Sequence, residues 1–382
     1  MKEPDKLIFR EFFKTYYFLN SKIIRREIRE IALREFAYMD FNDVMHRHIA
    51  IKEEDFENWV VEKIPRDFYH SSGYYLFPDK PMDNKMWIKG EVIFDIDIDH
   101  ITACNPTKIW ICTNCDEVYF NSTKECEICH GSINEVLILN EYSCIKAKDE
   151  LKKLVNLLNS DLGIDMSKFA RIYFSGSRGF HVHVFDPSFM ELGQRERVEI
   201  KDYITYEMFD ITYIRSITAK AIVELKKIME KMTESEVIDD KIRSKIIDLI
   251  NKGKVSELKG IFRRRKRLRE YVNILLRQKL GVCVDSIVTV DLSRLIRVPY
   301  SLHGKTGLIK KRIEIDKIDE FYPFSDAVYN TGEKAKVFVK YLPNILWLDR
   351  EYEETFKSYV EVPMSLAIYL VGRGLAYGIK RI

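Results

Sequence analysis

The chain has 382 residues, of which 46% are hydrophobic and 12% aromatic, enough for one large core or for two or three smaller ones. That composition excludes an intrinsically disordered chain. Lysine and arginine exceed aspartate and glutamate by only three, so the net charge of +3 does not by itself identify a partner.

The sequence predicts an intracellular protein without membrane segments. Its first residues are charged and lack the apolar stretch of a secretory signal. Nowhere does the chain approach the eighteen or so continuous apolar residues that a membrane span needs. Four of its seven cysteines have metal-ligand spacing, which fits a reducing compartment better than a disulfide framework.

The predicted elements of the first half alternate between helix and strand. Residues 1 to about 60 are predicted to be mainly helical, changing toward strand between Asp40 and Ile51. A strand follows over 87–99, then a loop-like, cysteine-rich piece over about 100–132 and a helix over 143–163. Residues 170–186 read as a strand, a glycine-containing turn and a second strand.

The second half begins with a charged helical pattern from about 190 to 280. Residues 284–315 return to strand and loop, and a helix is expected near 362–374. Together these elements predict an α/β core made of residues 1–190 and 281–382. A zinc knuckle at about 104–131 and an inserted helical subdomain at 191–280 interrupt that core.

Three acids mark the predicted strand VIFDIDIDH, residues 92–100. Asp95, Asp97 and Asp99 alternate with apolar residues, so the carboxylates would share one face of the strand. Such a face suits Mg²⁺ or Mn²⁺, and a pair of these cations can activate an attacking oxygen and stabilise a leaving pyrophosphate. An edge strand with its acids in water is the alternative. We favour the metal site because unpaired acids on a buried strand would be costly.

Two histidines follow a glycine-containing turn in SGSRGFHVHV, residues 175–184. His181 and His183 share a strand face, and Arg178 lies in the turn. Arginine and histidine beside glycines suit a polyphosphate. A His-x-His pair can also hold zinc, and either histidine could be an ordinary core residue. The segment by itself leaves these three interpretations open.

A third polar segment, RLIRVPYSLHGKTG, spans residues 294–307. It offers Arg294, Arg297, His303 and Lys305 in a loop with glycine and proline, which suits a phosphate or nucleic-acid surface. A solvated basic loop is the alternative. Asp285 lies just upstream and could supply another metal ligand.

Four cysteines have the spacing of a zinc site. Cys112-x₂-Cys115 and Cys126-x₂-Cys129 are separated by ten residues, which predicts a knuckle or ribbon. Four thiolates would close the coordination shell, so the zinc would be structural rather than catalytic. Cys144 and Cys283 are expected to be ordinary buried thiols.

The run from Arg263 to Arg269 holds six basic residues in seven positions. It could contact the phosphates of a template or primer, because such contacts need positive charge and little geometry. A solvated helix face is the alternative.

Taken in order, these segments resemble the small catalytic subunit of archaeal and eukaryotic replicative primases, most closely the archaeal form. FDID at 94–97 resembles the first motif of that family, in which Asp95 and Asp97 would bind metal, with Asp99 outside the pair. The stretch 284–307 resembles the third motif, which would make Asp285 the third catalytic carboxylate. Asp291 competes for that role but matches the motif less well.

The resemblance also implies a nucleotide site. SGSRGFH at 175–181 resembles the second motif, and REFAYMDFNDVMHRH at 34–48 resembles a further family segment. His183 falls outside the second motif, which weakens the zinc interpretation, and Ser177 stands where some relatives carry a basic residue. The residues implied at the nucleotide are Ser175, Arg178, His181, Arg297, His303, Glu35 and Arg47.

On this resemblance the chain is expected to be a DNA primase that makes short RNA primers de novo on single-stranded DNA by two-metal nucleotidyl transfer. Extension with deoxynucleotides, a large subunit as heterodimer partner and the cytoplasm of an archaeal cell are implied as well. The implied fold has two sheets flanking the active-site cleft. Zinc ligands vary in the family, so His130 or Cys104 could replace one of the four cysteines.

Two rival functions stay open at this point. A metal-dependent phosphodiesterase would use the same acids with His181 and His183 and would need no triphosphate. A non-catalytic zinc-bearing nucleic-acid module would depend on the basic run instead of the acids.

Overall fold

The computed structural model describes residues 3–101, 107–212, 219–233 and 238–382. Its helices are α1 (Glu3–Glu27), α2 (Phe56–Lys63), α3 (Glu141–Ser160), α4 (Met166–Phe169), α5 (Pro187–Met190), α6 (Gln194–Thr205), α7 (Ala219–Lys231), α8 (Asp240–Asn251), α9 (Val255–Arg264), α10 (Lys266–Leu280), α11 (Ser286–Val290), α12 (Pro323–Asp326) and α13 (Met364–Gly372). Its strands are β1 (Phe36–Met39), β2 (Met45–Ile49), β3 (Asp67–Ser71), β4 (Gly73–Tyr75), β5 (Trp87–Gly90), β6 (Val92–Asp97), β7 (Thr107–Cys112), β8 (Val118–Tyr119), β9 (Ile133–Ile138), β10 (Ala170–Phe174), β11 (Gly179–Val184), β12 (Leu295–Arg297), β13 (Arg312–Ile313), β14 (Lys334–Leu342), β15 (Ile345–Trp347), β16 (Arg350–Tyr352), β17 (Thr355–Pro363) and β18 (Ala376–Arg381).

Two four-stranded sheets position the polar residues that the sequence singled out. One has the order β13-β10-β11-β6 and is called here the acidic sheet, because β6 carries the aspartates. The other has the order β12-β3-β1-β2 and is called the facing sheet. Every pairing within the two sheets is antiparallel.

The acidic sheet has one apolar and one polar face. Along β6, Val92, Phe94 and Ile96 are buried on the face that lies in the main core with helix α3. Helix α3 begins at a capping box formed by Asn140 and Ser143, and its apolar stripe includes Leu154. Because side chains alternate along a strand, the aspartates of β6 must lie on the opposite face.

That polar face lies against the facing sheet. Ile93 of β6 packs with Ile296 of β12 and with Val288 of α11 in a small apolar cluster. Nearby, the Nζ atom of Lys310 donates to the carbonyl oxygen of Arg297 at 2.8 Å and lies 3.0 Å from His183 Nε2. The two sheets are therefore joined by an apolar contact and by a buried lysine.

A third sheet, with the order β17-β14-β18, follows in the last part of the chain. Its inner face packs on α13, with Val337 and Val339 fully buried. The carboxylate of Asp5 in α1 accepts hydrogen bonds from the backbone amides of Gly378 and Ile379 in β18, at 3.0 and 2.8 Å. The first helix is thereby fixed to the last strand.

Helices α7 to α10 surround an apolar cluster of their own. It includes Phe209, Leu225, Leu249, Phe262 and Leu276, and it is separate from the main core. The helical pattern predicted from about 190 to 280 is thus confirmed by α6 to α10. None of the helices in the described ranges combines the length and apolar character that crossing a bilayer requires.

Three local predictions need correction. The single strand expected over 87–99 is wrong: β5 ends at Gly90 and pairs with β4, whereas β6 begins at Val92 and pairs with β11. The guanidinium of Arg197 donates to the carbonyl oxygens of Gly90 and Glu91, which fixes the chain at the break. Asp99 follows in a 3₁₀ turn and is not part of the strand.

The other two corrections concern short strands that were missed. The strand character expected between Asp40 and Ile51 is confirmed by β2, but the prediction for residues 1–60 missed β1, which precedes it. The cysteine-rich piece forms a small antiparallel sheet of order β8-β7-β9 rather than a loop. In both cases the strands are short, with at most six residues, so the sequence pattern had little length in which to show an alternation.

Replacing Leu154 by alanine tests the packing of α3 against the acidic sheet. Leu154 is fully buried, so Leu154→Ala should lower the free energy of unfolding by about 2–5 kcal/mol. The measurement is the denaturant midpoint and slope of the full chain. The matched control is Leu19→Ala, because Leu19 is 63% exposed; its effect should stay within about 0.5 kcal/mol. Equal effects of the two substitutions would contradict the packing described above.

Candidate active site

Three carboxylates predicted from separate segments come together at the end of β6. Asp95 and Asp97 lie on its polar face. Asp285 is the residue that caps α11, and its backbone amide donates to the carbonyl oxygen of Asp95 at 2.8 Å. The fold therefore joins residues that are about 190 positions apart in the chain.

The negative charges of the three acids repel one another. Burial, followed by the negative charges of Asp97 and Asp285, raises the pKa of Asp95 to about 7, while Lys310 and Arg294 act in the opposite direction. Like charges this close cannot all ionise cheaply unless positive charge is placed between them. Carboxylate oxygens are the ligands that hard divalent cations prefer, so the donor set fits Mg²⁺ or Mn²⁺.

Arg178 forms ion pairs with Asp97 and Asp99. Its Nε atom lies 3.0 Å from both carboxylate oxygens of Asp97, and its Nη2 atom lies 2.5 Å from Asp99 Oδ2. Asp99 is therefore a neighbour that pairs with Arg178, and it lies off the strand face that carries the other two acids. The Arg178 side chain remains about one-third exposed toward a cleft.

The two histidines of β11 have different surroundings. His181 stands directly opposite Asp95 in the sheet, with its Nε2 atom 3.5 Å from Asp95 Oδ1. Burial and the charge of Lys310 hold the pKa of His181 well below its usual value, so the ring is neutral. His183 uses both ring nitrogens, one toward Glu91 at 2.9 Å and one toward Lys310 at 3.0 Å. It has no nitrogen left for zinc, which removes the His-x-His interpretation.

The turn that precedes the histidines meets the third polar segment. Ser175 Oγ accepts hydrogen bonds from the amides of Ser177 and Gly179, at 3.3 and 3.2 Å. Gly176 has a φ of +85°, and a β-carbon there would lie 3.2 Å from His303, so this position favours glycine. Thr306 Oγ1 donates to the carbonyl oxygen of Gly176 at 2.5 Å. Residues 175–179 and 303–306 thus form one continuous wall.

Arg297 is buried beneath that wall. Its Nη2 atom lies 2.8 Å from Asp67 Oδ1, and Asp67 also accepts from the amide of Gly304 at 2.9 Å. Burial alone would raise the pKa of Asp67, but Arg297, His303 and the Gly304 amide hold it below its usual value. The contact that Arg297 makes in the structure is therefore with the base of the loop, and its predicted contact with a triphosphate stays a prediction.

Glu35 and Arg47 lie on the facing sheet side. Glu35 is buried and forms an ion pair with Lys85, accepts from the His48 amide at 3.1 Å and lies 3.5 Å from Arg47 Nη2. Within the described residues, no hydrogen bond or ion pair joins Glu35 or Arg47 to the three acids. The structure places them together as a pair, and their proximity to a nucleotide stays a prediction.

A cleft of about 1070 Å³ opens beside Arg178 and Asp99. It passes along the loop at Gly304 and Lys305 and along strand β9. Sequence reasoning missed most of its cationic lining, because these residues come from six distant segments and carry no common local pattern. The basic residues that line it are Lys6, Arg66, Lys108, Arg178, Lys305 and Arg373.

Comparison with known proteins agrees with the resemblance that the sequence suggested. Residues 140–315 match the family model described as DNA primase small subunit. The DNA primase small subunit PriS of Archaeoglobus fulgidus is 34% identical, over 97% of this chain and 97% of that protein. The PriS proteins of Nitrosopumilus maritimus and Cenarchaeum symbiosum are 30% and 31% identical, each over 98% of this chain and 99% of the relative.

This chain belongs to the DNA primase small subunit family. It is a DNA primase of the archaeal type, and the phosphodiesterase alternative has no support. The mixed α/β fold with several sheets and a four-cysteine cluster fits the family. Among solved structures, the polymerase domain of Mycobacterium tuberculosis Ligase D in complex with DNA gives a TM-score of only 0.38 at 10% identity, over 81% of this chain and 83% of that chain.

The four cysteines predicted to bind zinc form one cluster in the primase. The sulfur atoms of Cys112, Cys115, Cys126 and Cys129 all lie within 4.8 Å of one another, as a structural metal such as zinc requires. His130 is exposed and points to Glu125 at 3.4 Å, away from the cluster. Cys104 lies outside the described residues.

The basic run of the primase forms the corner between α9 and α10. The residues from Arg263 to Arg267 are exposed, whereas Arg269 is half-buried with its Nε atom 3.7 Å from Asp210. The structure therefore keeps both interpretations open for this run, a phosphate contact or a solvated corner.

Replacing Asp67 by asparagine tests the loop anchor. Asp67→Asn leaves the buried Arg297 without its countercharge, so the free energy of unfolding should fall by about 3–5 kcal/mol at neutral pH. Because the folded pKa of Asp67 is depressed, this advantage of the wild type is fully present above the unfolded pKa near 4 and shrinks as the pH falls from there toward the lower folded pKa. Denaturant titrations of both proteins from pH 7 to pH 3 measure the difference, and Asp83→Asn in an exposed turn is the control. A difference that does not shrink with falling pH would contradict the assignment.

Replacing Cys115 by serine tests the metal cluster. Cys115→Ser removes one of four thiolates, so about one zinc ion per chain should be lost on dialysis. Metal content by plasma mass spectrometry is the measurement. Cys283→Ser is the matched control, since Cys283 lies outside the cluster and its replacement should leave the zinc content unchanged. Retention of zinc in both variants would refute the ligand set.

Proposed function

We propose that this primase starts RNA chains on single-stranded DNA by two-metal nucleotidyl transfer at Asp95, Asp97 and Asp285. The observation that supports this most is the meeting of these three carboxylates at one end of the acidic sheet, where burial, followed by the charges of Asp97 and Asp285, raises the pKa of Asp95 to about 7. A bound cation would relieve both the burial cost and the repulsion, and six basic and three acidic side chains line the nearby cleft.

The three carboxylates would hold Mg²⁺ or Mn²⁺. When bound, these cations would activate the attacking 3′ hydroxyl and neutralise charge on the triphosphate. The protein's own contribution is to keep the acids in register: β6 orients Asp95 and Asp97, and the amide of Asp285 is bonded to the Asp95 carbonyl.

A nucleoside triphosphate would lie along the wall formed by residues 175–179 and 303–306. Arg178 extends from the acids toward the cleft, and Lys305 lines the cleft on the same side, so both can pair with phosphates. Neutral His181 can donate a hydrogen bond without adding charge. Arg297 would act through Asp67, which fixes the Gly304 amide. Ser175, His303, Glu35 and Arg47 complete the proposed nucleotide site.

The predicted organisation is retained as part of the proposal. The acidic and facing sheets would flank the active-site cleft, with residues 1–190 and 281–382 forming the core. The separate apolar cluster of α7 to α10 supports an inserted subdomain at 191–280. A large subunit as partner, a zinc ion in the knuckle and some extension with deoxynucleotides follow from the family.

De novo synthesis on unprimed single-stranded DNA tests this function. Full-length, zinc-loaded protein would receive labelled nucleoside triphosphates with Mg²⁺ or Mn²⁺, with and without the large subunit. Asp95→Asn combined with Asp97→Asn should lower primer synthesis at least about a hundredfold, because the cation ligands are lost.

The matched control is Asp83→Asn, which changes an exposed carboxylate and should leave synthesis unchanged. Undiminished synthesis by the double variant would refute the assignment of the acids. The unfolding midpoints of all variants, measured without divalent cations, show whether any loss of activity comes from loss of the fold.

A further inference from the structure

Three aromatic side chains lie side by side on the outer face of the β17-β14-β18 sheet. Phe338 of β14 stands opposite Tyr359 of β17 and Tyr377 of β18. The ring centroids are 5.2 Å apart for Phe338 and Tyr359 and 5.1 Å apart for Phe338 and Tyr377. Tyr359 is 62% exposed, and the other two rings are half-buried. This aromatic row crosses all three strands of the sheet.

The row is not needed by the protein core. The inner face of the same sheet already packs Ala335, Val337 and Val339 on α13. The solvent face of an antiparallel sheet normally alternates to polar side chains. A row of adjacent rings that reaches solvent on such a face is therefore a mark of a binding surface rather than of packing.

Lysines border the aromatic row on both sides. Lys340 and Lys357 lie on one side, where they pair with Asp116 and Glu117 of the zinc knuckle. On the other side, Lys336 and Lys380 face each other across β14 and β18. Both are exposed, and neither forms an ion pair within the ranges that the structure describes.

Glu361 stands opposite Lys336 across β14 and β17, so one carboxylate lies beside these two lysines. Rings with cationic neighbours match the chemistry of single-stranded nucleic acid, in which bases stack on aromatic side chains and phosphates pair with lysine. The core of a protein–protein interface is depleted in lysine, so this surface fits a nucleic acid better than a protein partner.

The aromatic row is also connected to the active-site cleft. Lys340 Nζ lies 2.8 Å from Asp116 Oδ1, which ties the sheet to the knuckle. Strand β9 of the knuckle lines the cleft, and Arg373, which follows α13, donates to the carbonyl oxygen of Leu137 in β9. The sheet that carries the row is therefore joined through the knuckle to the lining of the cleft.

We propose that Tyr359, Phe338 and Tyr377, with Lys336 and Lys380, form a binding surface for single-stranded nucleic acid outside the catalytic cleft. Its role in holding the DNA template rests on the proposed function, whereas its ability to bind a single strand does not. The aromatic rings supply stacking that tolerates any base sequence, and the lysines supply contacts that weaken with salt.

Fluorescence anisotropy with a fluorescein-labelled twelve-residue oligothymidylate tests the binding surface. The full chain would be titrated without nucleoside triphosphates or divalent cations. Tyr359→Leu should weaken binding at least about fivefold, because leucine keeps apolar bulk but has no π face. Tyr359→Phe should bind like the wild type. The matched control is Tyr142→Leu, because Tyr142 is 53% exposed with Lys146 Nζ 5.5 Å from its ring centroid, but lies on α3.

A second pair of variants tests the charges. Lys336→Gln with Lys380→Gln should reduce the slope of log affinity against log salt by about 1.4, which is about 0.7 for each lost phosphate contact. Unfolding midpoints are compared throughout, and the exposed position of Tyr359 makes misfolding of its variants easy to detect.

Wild-type binding by Tyr359→Leu would overturn the proposal, as would an equal loss in Tyr142→Leu. If Tyr359→Leu binds the oligonucleotide normally but no longer forms a complex with the large subunit, the proposal is also overturned and the surface is assigned to that partner. Asp95→Asn with Asp97→Asn should bind the oligonucleotide normally. If that double variant keeps primer synthesis while Tyr359→Leu still loses binding, the proposed assignment of the catalytic acids fails and the binding surface stands.

Discussion

The repulsion among Asp95, Asp97 and Asp285 is the constraint on which the rest of the structure depends. A strand that buries its neighbours in the main core carries two of these acids, and the cap of α11 brings the third. Positive groups surround them without neutralising them fully. Lys310 and Arg294 lower the pKa of Asp95 and Arg178 pairs with Asp97, yet the pKa of Asp95 still reaches about 7. The folded protein thus retains uncompensated negative charge at this site, which a bound divalent cation would neutralise.

A buried polar network joins the acidic sheet to the facing sheet. Glu91 lies at the break between β5 and β6, and it forms an ion pair with Arg34 and a hydrogen bond with His183. His183 also contacts Lys310, which donates a hydrogen bond to the backbone carbonyl oxygen of Arg297 in the facing sheet. Removing one member of such a network leaves a buried charge without its partner. The members therefore act as a unit that sets the spacing between the sheets.

How much could be predicted from the sequence differs between residues for physical reasons. Helix α3 was predicted within a few residues, because its apolar stripe and its end are local features. The alternation of Asp95 and Asp97 gave their shared face, but the meeting with Asp285 followed only from the family resemblance. The break at Glu91 was missed because Arg197, about a hundred residues later, holds it. Lys310 and the basic lining of the cleft were missed for the same reason, since only tertiary structure unites them.

The hydrogen bonds from Gly378 and Ile379 to Asp5 have a consequence for how the polypeptide folds during synthesis. The contact joins positions 374 residues apart, so the contact between α1 and β18 cannot form until β18 has been made. At about 5–20 residues per second, that interval lasts roughly 20 to 75 s. Throughout it, the aromatic face of α1, with Phe9, Phe13 and Tyr17, lacks the strand that completes its surroundings. For most of its translation, the nascent chain therefore carries an amphipathic helix that lacks one of its final neighbours.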